Sequence, residues 1–198
     1  MVSLLTVISY GIGSIPFGLL LAKTQGKDIR KMGSGNIGAT NVLRCLGKPL
    51  GITCFVLDVL KGLLPALLFP TLGVGAHWGI LFGTAAILGH NFPIFLKFKG
   101  GKGVATSAGV LLGVAPLAVC AGLITWGIVF RLSGYVSLGS IIAALVVALV
   151  SWLRVGHYGL PTVIALSLLC ALTIWRHRSN IQRLRNGTEN KFQRKSKS

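Results

Sequence analysis

VATSAGVLLGVAPLAVCAGLITWGIVF, residues 104–130, carries the topology of this chain. The stretch is apolar throughout and longer than the roughly 20 residues a helix needs to cross the hydrocarbon core. Gly113 and Pro116 stand at its middle. A proline inside a helix removes a backbone donor and clashes with the preceding turn. Two readings follow: one long helix, or two short ones over 104–115 and 117–130.

The flanking sequence separates them. Further apolar stretches cover 3–22, 50–72, 76–96, 138–153 and 159–175. With one helix at 104–130, the basic tail 176–198 falls on the face opposite the other basic loops, against the rule that cytoplasmic loops hold the Lys and Arg excess. With two, segments 23–48, 97–103, 131–137 and 176–198 share one face. They then hold every one of the 20 Lys and Arg except Lys61 and Arg154. The expected fold is therefore all-α: a polytopic integral membrane protein, a seven-helix bundle with short or broken helices. The N-terminus lies outside and the C-terminus in the cytoplasm, and residues 1–198 form a single membrane domain ending in a basic tail.

Composition agrees. Hydrophobic residues make up 53% of the chain, mean hydropathy is +0.76, and only 12% of residues are charged, against about 25% in soluble domains. Twenty basic residues face only Asp28, Asp58 and Glu189, for a net charge of +17. That excess favours anionic partners, either lipid headgroups or phosphorylated substrates, and the apolar content argues against nucleic acid. Residues 3–22 have no positive n-region before them and no A-x-A site after them, so they are expected to remain as a first span. Cys45, Cys54, Cys120 and Cys170 are scattered and read as apolar packing. Gly11, Gly13, Ser14 and Gly18 read as small residues that let membrane helices approach.

GSGNIGATN, residues 33–41, fits G-x-G-x-x-G. A dinucleotide fingerprint needs a preceding strand and a βαβ unit, and here an apolar helix and a basic polar segment precede it. Glycines still expose backbone N–H groups to an anion, and Ser34, Asn36, Thr40, Asn41 and Arg44 add donors; the plainer reading is a glycine-rich turn. In GHNFPIFLKFKGGKGVATSAG, residues 89–109, Lys97, Lys99 and Lys102 surround Gly100 and Gly101. Leu96 and Gly103 break the P-loop pattern. The lysines suit a phosphate site or a cytoplasmic span end.

Asp58 and Lys61, three apart in a span, suit an internal ion pair or a buried anion site. His90 suits a structural hydrogen bond as well as a functional one. Ser133, Ser137 and Ser140 suit helix caps or phosphate contacts. Ser179 to Gln182 has the capping-box pattern, Gly187 is a stop signal, and the segment reads as a basic interfacial helix on anionic lipid. With three acids in the chain no carboxylate metal site is expected. The residues five beyond His77, His90, His157 and His177 are Phe82, Phe95, Thr162 and Gln182, so no H-x-x-x-x-D acyltransferase pair exists.

GSGNIGATNVLR, LDVLKG, GHNFPIFLKFKGGKGVATSAG, YVSLGSI and RHRSNIQRLRNGTENK, in this order along nearly the whole chain, resemble the PlsY-type glycerol-3-phosphate acyltransferases of bacteria. The resemblance implies seven helices and an active site toward the cytoplasm. It implies transfer of an acyl group from acyl phosphate to position 1 of glycerol 3-phosphate, giving lysophosphatidic acid and phosphate. It assigns Arg44, Ser137, His177, Asn180 and a lysine of KFKGGK, with Lys99 and Lys102 favoured, to the glycerol phosphate. Ser34, Gly35, Asn36, Gly38, Thr40 and Asn41, with Gly100 and Gly101 opposite, would hold the acyl phosphate. It implies no cofactor, no metal and no side-chain base, the leaving phosphate taking the proton. The partners it implies are membrane lipid and an acyl-phosphate-producing enzyme. Gly139 in SLGS departs from an expected serine and leaves the role of Ser140 open. An organic-phosphate transporter would show two related halves, and no repeat is visible. A lipid-binding scaffold would leave both glycine motifs without a purpose.

Overall fold

A computed structural model describes residues 1–192; Arg194, Lys195 and Lys197 of the expected basic tail lie outside the described residues. Among the described residues every regular element is helical. The chain divides into two compact units, Met1–Ala115 and a second that begins at Pro116.

In the first unit α1 (Val2–Gly13) and α2 (Phe17–Lys23) are two helices where the sequence suggests one span. Pro16 supplies no N–H and disfavours a helical Ile15, so the chain breaks at 14–16. Next come α3 (Ala39–Leu46), α4 (Lys48–Leu68), α5 (Gly79–Asn91) and α6 (Val104–Val114). Glycines set the spacing. A Cβ on Gly13 would strike the Ala86 carbonyl and one on Gly89 the Tyr10 carbonyl, so α1 and α5 touch backbone to backbone. Gly62 against Thr106 and Gly109 against Val59 do the same for α4 and α6. Gly18 and Ser14 are also buried. Gly11 is not part of this packing: nothing lies within 4 Å of an added Cβ there.

The second unit holds α7 (Pro116–Ser133), α8 (Val136–Leu153), α9 (Val155–Tyr158), α10 (Leu160–Arg176) and α11 (Arg178–Arg185). α7 and α8 turn at Gly134, whose φ of 76° is in the left-handed region. Trp152 Nε1 donates to Ser167 Oγ at 3.1 Å and ties α8 to α10. Ser140 and Ser151 of α8 satisfy their hydroxyls on their own helix, on the carbonyls of Val136 and Val147.

Leu4, Ile124, Leu132, Leu149 and Leu153 are exposed. In water such surface would aggregate; on membrane helices it is the lipid face. By length and hydropathy Val2–Lys23, Lys48–Leu72, Ala76–Leu96, Pro116–Ser133 and Val136–Leu153 are long enough to cross. Leu160–Arg176 qualifies only together with Arg178–Arg185, to which it is bent by 52°. At 11 residues, α6 rises about 16 Å, half a hydrocarbon core. Its partner in the divided stretch is longer than expected: α7 runs 18 residues, to Ser133.

Candidate functional site

In the first unit the glycine loop 33–38 leads into α3. Gly33 and Gly35 take φ of 56° and 70°, and Asn36 Oδ1 accepts the Gly38 N–H at 2.8 Å. Asn41, on the first turn of α3, organises the loop. Its Nδ2 reaches the carbonyls of Ile29 (3.3 Å), Met32 (3.0 Å) and Asn36 (2.9 Å), and its Oδ1 accepts the Ser34 N–H at 2.9 Å. The side chain is buried and its polar atoms serve the loop, so Asn41 shapes the loop that carries Ser34, Gly35 and Asn36. Ser34 and Gly35 are exposed, and Asn36, Gly38, Thr40 and Arg44 half-buried.

Just before the loop, Asp28 caps the turn Ile29–Lys31 and pairs with Arg30 at 2.7 Å. The hydrogen bond from the Arg30 side chain holds the Asp28 carboxyl down at about 2.

The second motif follows the turn Ile94–Leu96. Lys97 and Lys99 are exposed and Lys102 half-buried. The N–H of Gly100 donates to the Asn91 carbonyl (3.2 Å) and that of Gly101 to the His90 carbonyl (3.1 Å). These two amides therefore hold the loop to the end of α5, and the glycines serve close approach: a Cβ on Gly101 would enter the His90 ring. Leu96 packs on the core cluster of Leu19, Ala22, Ile29, Ile37, Val42 and Cys54, which also supports the first loop. One hydrophobic cluster thus carries both glycine motifs. Asp58 and Lys61 form the ion pair that was one of their two sequence readings, at 2.7 Å with both side chains buried.

In the second unit Ser137 lies on the first turn of α8, His177 at the bend between α10 and α11, and Asn180 on the first turn of α11. All three are buried. Nδ1 of His177 lies 2.8 Å from the Thr173 carbonyl. A carbonyl only accepts, so Nδ1 carries the proton of this contact.

Ser137 and Asn180 meet at a residue to which sequence reasoning gave no role, Glu189. Its Oε1 accepts from Ser137 Oγ at 2.8 Å and Asn180 Nδ2 at 2.6 Å, and Arg183 Nε donates to Oε2 at 2.7 Å. The signal available was its isolation, the chain's single glutamate within a basic run. Burial raises its pKa, but the hydrogen bonds from Asn180, Ser137 and Arg183 outweigh burial and hold it below the usual range. The segment returns to the α7–α8 turn through the Phe192 N–H on the Gly134 carbonyl at 3.0 Å.

Two local expectations are corrected. Ser179 is not a cap: α11 begins at Arg178 with His177 as N-cap and no side-chain cap bond, because the chain bends out of α10 there instead of starting afresh. Ser133 closes α7 on the Val129 carbonyl at 2.7 Å and accepts the Tyr135 N–H at 3.1 Å. Gly139 sits where a Cβ would lie 3.1 Å from the Trp126 ring, so a serine there would have to displace the indole. Gly187 does end α11, with φ of 68°.

Gly33→Ala tests the first loop. The new methyl would meet Asn41 Oδ1 and, at 2.7 Å, Cys45 Sγ, in a left-handed backbone. We expect about 1–3 kcal/mol of local strain, read as faster amide exchange over 33–41 with other helices unchanged. Parental exchange there would contradict this account of the loop.

Among the described residues no group of three His, Cys, Asp or Glu is placed to hold a metal ion.

A family model described as glycerol-3-phosphate acyltransferase matches residues 3–187. A glycerol-3-phosphate acyltransferase of Geobacter sulfurreducens is 50% identical over 190 residues, 96% of either chain. One of Geobacter metallireducens is 53% identical over 194 residues, again 96% of each. The fold is similar to the crystal structure of PlsY, an integral membrane glycerol 3-phosphate acyltransferase, in its glycerol 3-phosphate form. The TM-score is 0.90 at 42% identity, over 97% of this chain and 96% of that one. The lysophosphatidic acid form of PlsY gives 0.88 at 41% identity, over 97% and 95%.

Proposed function

Because the chain belongs to the glycerol-3-phosphate acyltransferase family, we propose that it moves a fatty acyl group from acyl phosphate to the 1-hydroxyl of glycerol 3-phosphate. The products are lysophosphatidic acid and inorganic phosphate, a first membrane step of phospholipid synthesis. The protein is a multi-pass bacterial membrane acyltransferase of the PlsY type; the donor, the product and the residues are the proposal.

One observation supports the donor: each of the three acids in the chain is already paired. Asp28 holds Arg30, Asp58 holds Lys61 and Glu189 holds Arg183. No carboxylate is left over as a general base, so a donor that brings its own proton acceptor suits this chain. A mixed carboxylic–phosphoric anhydride is such a donor, and its phosphate is itself a proton acceptor. The glycerol 1-oxygen bonds to the acyl carbon, the bond from that carbon to the phosphate oxygen breaks, and the hydroxyl proton leaves on the phosphate. Positioning and charge neutralisation then carry the rate.

In this reading Arg44, Lys99 and Lys102 supply charge for the glycerol phosphate, and Ser137, His177 and Asn180 supply hydrogen bonds. Ser34, Gly35, Asn36, Gly38 and Thr40 hold the acyl phosphate, with Asn41 shaping their loop and Gly100 and Gly101 seating the lysines. A seven-helix bundle with the N-terminus outside and the basic segments cytoplasmic follows from the positive-inside rule, the short α6 relying on its neighbours or a locally thinned bilayer. Anionic lipid meets the basic face, and an acyl-phosphate-producing enzyme supplies the donor.

The test is purified protein assayed with palmitoyl phosphate, palmitoyl-CoA and palmitoyl carrier protein in parallel. Turnover with palmitoyl phosphate alone is expected; comparable turnover with either thioester would overturn the donor. His177→Ala is expected to raise the KM for glycerol 3-phosphate about tenfold, the scale of one lost hydrogen bond, and that for acyl phosphate far less. A loss confined to kcat would point instead to proton transfer by His177.

A further inference from the structure

Asp58, Lys61 and His90 have no part in the reading above, yet they form a buried charged group within Met1–Ala115. Ionisable residues inside membrane helices are costly and mark function. Stability is a poor explanation, since apolar residues of similar volume often replace a buried ion pair without loss.

The contacts show what the group holds. Lys61 Nζ donates at 2.9 Å to the Ile15 carbonyl, at the α1–α2 break, and lies 5.5 Å from the centre of the Phe17 ring. Its partner Asp58 also faces Cys54 Sγ (3.7 Å) and His90 Nδ1 (3.6 Å). His90 lies in the last turn of α5, and the 97–103 loop rests on it twice. Its carbonyl takes the Gly101 N–H at 3.1 Å, and its ring occupies the space that a Gly101 side chain would need. Asn91 takes the Gly100 N–H and packs on Gly103.

The loop requires such a platform. Lys97 and Phe98 take φ of 51° and 62°, two successive non-glycine residues in the left-handed region. That conformation persists only where the surroundings enforce it. Lys102 directly follows the glycine seated on the ring.

We propose that Asp58, anchored by Lys61, orients the His90 ring, and that His90 thereby sets the position of Lys99 and Lys102. The three are positioning residues for the cationic loop, with no contact to the reacting atoms. The kinetic part rests on the substrate reading above; the structural part does not.

The experiment compares the parent with His90→Leu, His90→Asn and Asp58→Asn, each purified in lipid nanodiscs. Asparagine returns an amide donor near the place of Nδ1; leucine does not. The first readout is hydrogen–deuterium exchange without substrate. His90→Leu and Asp58→Asn are expected to exchange about tenfold faster over 97–103, a local opening, with α4 and α6 protected as in the parent and His90→Asn close to the parent. The second readout is steady-state kinetics. The KM for glycerol 3-phosphate should rise about tenfold in His90→Leu with kcat within about threefold, the signature of misplaced binding groups. Parental exchange over 97–103 in His90→Leu would overturn the proposal, as would protection lost uniformly throughout Met1–Ala115. If Asp58→Asn does not fold, the two His90 variants decide alone. If the parent does not turn over acyl phosphate, the substrate reading fails while the exchange arm still decides the positioning role.

Discussion

Arg44→Ala and Lys102→Ala are each expected to lower acyl transfer at least about 100-fold, while both proteins still insert and fold. The scale is that of removing one fixed charge from a developing anion in a preorganised site. Two reactants that both carry phosphate repel, so a catalyst that brings them together needs several cations held in place. The structure gives these two residues firm seats. Arg44 is on α3, which begins at the Asn41-ordered loop, and Lys102 follows the glycine packed on His90. Lys99 is exposed, and its alanine variant should cost less, because solvent already screens it. Near-parental kcat/KM in both variants would remove the proposed phosphate role. Loss of folded protein in either would show that its charge serves structure.

The second large effect falls on Glu189. Replacing it by alanine leaves Ser137, Asn180 and Arg183 without their shared acceptor. Leaving donors of a half-buried cluster without their acceptor costs about 1–3 kcal/mol, and the Arg183 side chain, at 33% exposure, recovers part of its hydration. Glu189→Gln keeps an acceptor and should lose about half as much. Thermal unfolding in detergent measures both, and equal melting temperatures for alanine variant and parent would refute the role. The pH dependence follows from the depressed pKa of the folded state. This stabilisation is complete above the ordinary glutamate pKa and disappears as pH falls through the lower, folded value. Acidification should therefore destabilise the parent more than Glu189→Ala over that window, since Asp28 titrates in both.

Glu189 also shows where reading the sequence stops. Ser137, His177 and Asn180 were picked out with the family's motifs, but the carboxylate joining two of them lies 52 and 9 positions away along the chain. Nothing local to any of the three announces it. Asn41 is a similar case. Its residue type suits an anion donor, and only the fold reveals that its amide faces the carbonyls of Ile29, Met32 and Asn36. Gly100 and Gly101 were expected opposite the acyl phosphate, and their N–H groups are taken by the carbonyls of Asn91 and His90. In each case a polar group had several chemically adequate partners, and proximity selected one.

The helices were more legible. Pro116 does begin a new helix, and α6 ends at Val114, because the missing N–H and the ring clash act within a single turn. The break at Pro16 has the same cause, yet hydropathy averaged over 3–22 conceals it.

The sequence by itself determined the apolar helices, the basic segments between them and the scarcity of acids, since each is a sum over neighbouring residues of their cost of transfer from water to lipid. The tertiary structure alone decided which amides, carboxylates and lysines remain available to a ligand and which bind one another. That choice depends on distances of about 3 Å between side chains far apart in the chain, at which one hydrogen bond replaces another at almost no change in composition.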